Sequence, residues 1–340
     1  YSAATPPLSW ATPALFGSRS AELMLRIPKE PQGQFVSPMI GLSYFPPEPK
    51  RFVGRTGPLG RASSALARDS EKRGVLFQGM VGGGKTACAL ETVYHQSRSQ
   101  RFRHFVWHQA PKENEEIEGS LVKLALDIEK QLPWVKMVQL VDRAEEFKAW
   151  LPVLSKMLEQ NSILIVLDNL ENLLTSDDGW KDERWGWLIE ALLNHDGFSR
   201  LILTSRNPLR DLEGNNRLIV ERINSLSRNE AMLLAREMPN LGRLLLGKSP
   251  GELERSRDLV RRTLALVQGH PKLIELADAQ ASNPEALEKY LESAIGAWSE
   301  EKNHMDRFFL EGESARTAEE FLNVLHRWTQ EISRSLPQTS

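Results

Sequence analysis

The chain has 340 residues, 41% of them hydrophobic and 26% charged, with a formal net charge of −2. Such a composition suits a globular chain with a sizeable core, and its Lys and Arg are scattered, which gives no support to a nucleic-acid or membrane-surface partner. A lone cysteine, Cys88, excludes an intrachain disulfide and fits a reducing, cytoplasmic compartment, and the longest apolar run, Ile163–Leu167, is far short of the roughly 20 residues of a spanning helix.

The first fifty residues differ from the rest. Two short extended runs, Ser9–Gly17 and Ala21–Ile27, precede the breaker-rich segments Pro28–Pro38 and Pro46–Lys50. The chain starts with Tyr and has no charged-then-apolar leader, so it reads as a piece of a longer protein. From Arg51 onward, strands and helices alternate. Gly74–Gln78 is a short apolar run leading into a glycine-rich turn, and Lys85–Gln96 is helix-like. Arg103–His108 is a second strand, with amphipathic helices predicted over Glu115–Leu132 and Ala144–Gln160. Ser162–Leu167 is nearly all apolar, as a strand buried on both faces of a parallel sheet requires. A helix over Trp185–Leu193 and strands over Leu201–Thr204 and Leu218–Glu221 follow.

Five strands separated by helices predict a three-layer αβα domain with a parallel sheet, over 51–224. Strand signals stop after Asn224. Ser227–Glu237, Glu252–Val267, Pro271–Ala279 and Pro284–Trp298 read as a helical subdomain over 225–300, and Ala318–Ser335 as a helix within a linker over 301–340.

Gly79-Met-Val-Gly-Gly-Gly-Lys-Thr86 fits G-x-x-x-x-G-K-[ST] at every fixed position. Gly82, Gly83 and Gly84 let backbone N–H groups converge on phosphate oxygens without side-chain obstruction. Lys85 offers a point charge to the β- and γ-phosphates, and Thr86 a hydroxyl to Mg²⁺ at the start of a helix whose dipole favours anions. A flexible glycine turn before a helix is the plainer alternative, but a strand before and a helix after are what the motif requires.

Asp168 ends the apolar strand and so stands at the carboxyl edge of the sheet, suited to holding Mg²⁺ beside Thr86, or else to capping the next turn. Asn169 cannot accept a proton from water, so a general base is Glu171 or is absent; Glu171 otherwise is an exposed loop carboxylate. Arg206, past the end of Leu201–Ser205, can reach a γ-phosphate, or can pair on the surface with Asp211 or Glu213. Phe52-Val-Gly-Arg55 and Gly269-His-Pro271 read by themselves as a turn and a helix boundary, with Pro271 suited to a first helical position.

In this order, Phe52–Arg55, Gly79–Thr86, Leu167–Asn169, Thr204–Arg206 and Gly269–Pro271 resemble the STAND class of P-loop ATPases, which includes NB-ARC and related switches of the AAA+ branch. The resemblance covers about Arg51 to Ala279 and includes Ile223–Leu234 as entry into the helical subdomain. It implies that Val53 and Arg55 lie against adenine and ribose, Pro271 packs on the base and Arg206 senses the γ-phosphate. It further implies ATP or ADP with Mg²⁺, and self-association in the ATP state. Family members often carry two adjacent acids where this chain has Asp168-Asn169, which sets slow or absent hydrolysis as the expectation. Pro7–Phe16 resembles the closing strand of CHAT domains, which are caspase-like, and Phe321–Pro337 resembles what precedes tetratricopeptide arrays in CHAT–STAND proteins. A hydrolysing AAA+ motor or loader is the alternative reading. A scaffold with a degenerate loop disagrees with intact Lys85, Thr86 and Asp168, and a GTPase lacks its N-K-x-D segment.

Overall fold

The computed structural model describes residues 42–99, 101–111, 119–247, 250–285, 287–289 and 291–292. The extended runs Ser9–Gly17 and Ala21–Ile27, the CHAT-like Pro7–Phe16, the helix expected over Ala318–Ser335 and part of Pro284–Trp298 lie outside these residues.

Five strands form one sheet: β1 (Gly74–Gln78), β2 (His104–Gln109), β3 (Ile163–Asp168), β4 (Arg200–Ser205) and β5 (Leu218–Arg222). The order across the sheet is β2-β3-β4-β1-β5, and every pairing is parallel. Alternation explains the layering. On β3, Ile163, Ile165 and Leu167 enter one apolar cluster, while Leu164 and Val166 enter the cluster on the other face. One face is covered by α3 (Ser120–Gln131), α4 (Ala144–Gln160) and α5 (Glu183–Leu193), the other by α1 (Thr56–Ala65) and α2 (Lys85–Arg98).

Strand and helix ends differ from the sequence reading by one or two residues, each for a local reason. β2 runs to Gln109 because its pairing with β3 continues to Gln109 opposite Asp168. α3 is described from Ser120, after Gly119 at φ 82°, and the start expected at Glu115 lies outside the described residues. α5 starts at Glu183, since the Asp182 side chain accepts from the Arg184 amide. β4 starts at Arg200, a charged residue that is 2% exposed. Its guanidinium is tolerated there because it donates to the carbonyls of Gly197, Ser199 and Ala67.

Beyond the sheet, α6 (Arg228–Glu237), α7 (Pro239–Leu246), α8 (Pro250–Leu266) and α9 (Pro271–Gln280) enclose a third apolar cluster. α7 has no counterpart in the sequence reading. Pro239 stops α6 and opens α7 at its first turn. Val53, Met80 and Val81 pack against this third cluster, so the helical subdomain touches the loop after β1 directly. Among the described residues, no helix is long and apolar enough to cross a membrane.

Candidate functional site

Neighbouring strands β3, β4 and β1 end together: Asp168 is the last residue of β3, Arg206 follows β4 and the glycine loop follows β1. Parallel pairing alone achieves this: Gln78 lies opposite Ser205, and Leu167 opposite Leu203.

In the loop Gly79–Gly84, each glycine meets a different constraint. A Cβ on Gly79 would lie 2.3 Å from the carbonyl oxygen of Ile223, and one on Gly82 would lie 2.8 Å from Cε1 of His270. Gly84 has φ 99° with open space beside it, so only its backbone conformation requires glycine. A Cβ on Gly83 would lie 3.1 Å from the Met80 carbonyl oxygen.

Carbonyls of the loop are taken by side-chain donors. Lys85 Nζ donates to the carbonyls of Gly79 and Met80 at 2.7 and 3.1 Å. Arg55 Nη2 donates to the Gly83 carbonyl at 3.0 Å. His270 Nε2 lies 2.9 Å from the Val81 carbonyl oxygen. Four carbonyls are thereby held by side-chain nitrogens, which is how a peptide loop turns amides toward an anion.

Thr86 Oγ1 donates to Asp168 Oδ1 at 2.8 Å, and Thr204 Oγ1 donates to the same oxygen at 2.6 Å. Gln109 Nε2 donates to Oδ2 at 3.2 Å. Asp168 is 0% exposed, and burial pushes its pKa above the ordinary carboxylate range, against the lowering by hydrogen bonds from Thr204 and Thr86. Asn169 is left-handed at φ 64°, its amide donating to Thr204 Oγ1 at 2.9 Å. This tight turn brings Glu171 under the end of β4, where Oε2 accepts from the Arg206 amide at 3.0 Å. Arg206 turns its Nε to Asn207 Oδ1 at 3.3 Å, and no ion pair joins it to Asp211 or Glu213.

Arg55 is the left-handed residue before α1, and its amide donates to Glu230 Oε1 at 2.9 Å. Glu230 is also the third residue of α6 and completes a capping box with Ser227. Val53 packs on the helical cluster, and Pro271 opens α9 next to the loop. Thus the structure gathers Arg55, the glycines, Lys85, Thr86, Asp168 and Glu171 at one sheet edge. Thr204, Gln109, Glu230 and His270 join them without an assigned role. Thr204 lies within the quoted Thr204-Ser-Arg206 and His270 within the quoted Gly269-His-Pro271, and the polar side chain of Thr204 in an apolar strand was a further signal; Gln109 and Glu230 are fixed by contacts between distant segments.

The NB-ARC domain family matches residues 55–240. The chain belongs to the NB-ARC family. It is a STAND-class P-loop NTPase, a nucleotide-binding domain. Solved structures are similar at low identity. A Signal Transduction ATPase with Numerous Domains (STAND) protein with a tetratricopeptide repeat sensor, from Pyrococcus horikoshii, matches at 21% identity and TM-score 0.44, over 68% of this chain and 30% of that one. The present NB-ARC chain thus spans about a third of that protein's length. A Walker-type ATPase of Pyrococcus abyssi matches at 15% identity and TM-score 0.49, over 77% of this chain and 79% of that one. A chain of the HORMA:CdnC:Trip13 complex of E. coli matches at 12% identity and TM-score 0.44, over 71% and 89%. No curated protein matches the NB-ARC chain.

The residues fit the group that such a domain binds. The glycine loop packs so closely on Ile223 and His270 that Gly79 and Gly82 leave no room for a Cβ, and Thr86 and Asp168 present the hard oxygen donors that Mg²⁺ prefers.

Proposed function

We propose that this NB-ARC domain is a switch that binds ATP or ADP with Mg²⁺ and turns nucleotide over slowly or not at all. One observation carries the reading: Lys85, Thr86 and Asp168 meet at the sheet edge, with Arg206 on the neighbouring strand end. In this reading the loop amides and Lys85 bind the phosphates, and Thr86 and Asp168 hold Mg²⁺. Magnesium supplies positive charge that neutralises the phosphate oxygens. Val53, Arg55 and Pro271 border the base and ribose, and Arg206 distinguishes ATP from ADP by its γ-phosphate. Asn169 lies beside Asp168 and supplies no base. Glu171, the remaining carboxylate, spends one oxygen on the Arg206 amide, which favours holding the sensor segment over activating water.

Exchange of ADP for ATP shifts the population toward a form that self-associates and controls attached effector and sensor segments. Residues 51–224 form the nucleotide unit and 225–300 the helical unit. Residues 1–50 close an upstream CHAT-like domain, and 301–340 lead toward a sensor, a tetratricopeptide array in the closest reading of the sequence.

Affinities for ATP and ADP, measured beside single-turnover hydrolysis on the 340-residue chain, test the proposal. Tight ADP with negligible turnover supports the switch. Rapid multiple turnover without a partner sinks it in favour of a working motor.

A further inference from the structure

Among the groups that border the loop, His270 belongs to the helical subdomain, and no role in holding nucleotide accounts for it. It is 0% exposed and sits just before α9, which Pro271 opens. Its two ring nitrogens face different parts of the protein. Nδ1 accepts from the Leu273 amide at 3.3 Å and so caps α9, while Nε2 lies 2.9 Å from the Val81 carbonyl oxygen. An accepting Nδ1 and a carbonyl at Nε2 together require the neutral ring with its proton on Nε2. That proton is donated to the tip of the glycine loop across 189 residues of sequence. Contact there is close: a Cβ on Gly82 would lie 2.8 Å from His270 Cε1 and 2.8 Å from Lys272 Cβ. Gly269, at φ 74°, fixes the approach, since its Cβ would lie 2.1 Å from the Leu226 carbonyl oxygen.

We infer that His270 is a positioning residue that pulls the Val81 carbonyl outward and so couples the shape of the phosphate loop to the seating of α9. A peptide unit is rigid, so turning the Val81 carbonyl toward His270 turns the amide of Gly82 the opposite way, into the loop. Anything that fills the loop with an anion therefore also fixes α9, and a helical subdomain that swings away leaves the loop with a carbonyl unheld. The coupling rests on the nucleotide reading above for its ligand, and on this contact alone for its path.

Two variants separate this role from a merely structural one. His270→Asn keeps an oxygen for the α9 cap but is too short to reach Val81. His270→Gln carries an amide donor near the place of Nε2. Hydrogen exchange of residues 79–86 and 271–280, with and without ADP, is read beside ADP affinity and thermal midpoint. In the wild-type chain ADP slows exchange in both segments. His270→Asn exchanges faster over 81–84 without nucleotide, binds ADP about three- to tenfold more weakly, the worth of one hydrogen bond, and protects 79–86 without protecting 271–280. His270→Gln recovers most of the affinity and the joint protection. The inference is overturned if His270→Asn keeps both wild-type affinity and joint protection. It is also overturned if both variants lose affinity together with thermal stability, because His270 then only supports the fold. A wild-type chain that binds no nucleotide overturns the nucleotide reading and this inference with it, whereas wild-type binding with unaltered variants overturns this inference alone.

Discussion

Thr86 and Asp168, 82 residues apart in sequence, share a 2.8 Å hydrogen bond at the head of α2 and the foot of β3. The carboxylate that receives it is buried on every side, and burial holds its pKa high. As pH rises above the ordinary carboxylate range, an unfolded chain releases this proton while the folded chain retains it, so the site costs stability at neutral pH. Asp168→Asn removes that cost and keeps an oxygen for Thr86 and Thr204. Its thermal midpoint without nucleotide is expected to rise above wild type, while the gain in nucleotide affinity on adding Mg²⁺ disappears. A variant with a lower midpoint and intact Mg²⁺ dependence contradicts the assignment.

Lys85 is folded onto the carbonyls of Gly79 and Met80. Lys85→Met keeps the stem and removes the charge, so nucleotide binding is expected to fall by about a hundredfold, ~3 kcal/mol. Calorimetric titration with ADP measures it. A loss below about threefold would place the phosphates elsewhere.

Arg206 is held at its amide by Glu171, with its side chain only half-buried. Arg206→Ala is expected to weaken ATP about tenfold, ~1.4 kcal/mol, and leave ADP unaffected. Glu171→Gln, which weakens the same hydrogen bond, should narrow the ATP-to-ADP ratio in the same direction. Equal ATP and ADP losses in Arg206→Ala refute the sensor role.

Much of this was legible because its signals are local. The glycine loop is eight consecutive residues, and the β3 run is apolar on both parities, so each declares its structure without help from distant residues. α7 was hidden because Pro239 reads as a stop for α6, and only packing of Leu241 and Leu244 against the third cluster makes it a start. Glu230 completes a capping box with Ser227 three residues away, yet its other oxygen receives the Arg55 amide from 175 residues away. Helical and strand periodicities report which face is buried, not which partner a polar atom finds.

Gln131 is a further case of a partner invisible in the sequence. β2 is an edge strand, and Gln131 closes it: Oε1 accepts from the Trp107 amide at 2.9 Å while Nε2 donates to the Trp107 carbonyl at 3.0 Å. Gln131→Ala leaves both groups open on an edge with a buried aromatic side chain. A cost of ~1–2 kcal/mol is expected, a fall in thermal midpoint of about 2–8 °C, with more aggregation on heating. Thermal scans with light scattering decide it, and an unchanged midpoint means the edge is satisfied without Gln131.

Acid should unfold the NB-ARC domain through its buried histidines. His195 is 2% exposed, and burial first, then the charges of Arg73, Arg200 and Arg217, lower its pKa to about 4; only Asp196 opposes them. His270 is lowered to about 4 as well, chiefly by burial, with Arg55 and Lys85 adding to the lowering and the hydrogen bond to the Val81 carbonyl and the charge of Glu275 opposing it. An unfolded histidine takes its proton near pH 6.5, whereas these two resist protonation until about pH 4 in the fold. Their contribution is therefore complete above pH 6.5 and declines as pH falls through the window to about 4, by ~2–3 kcal/mol each. His195→Gln cannot take up a proton at all, so its stability should fall less steeply across that window. Urea midpoints collected from pH 7 to pH 4 compare the two slopes, and parallel slopes for wild type and variant would remove His195 from the account.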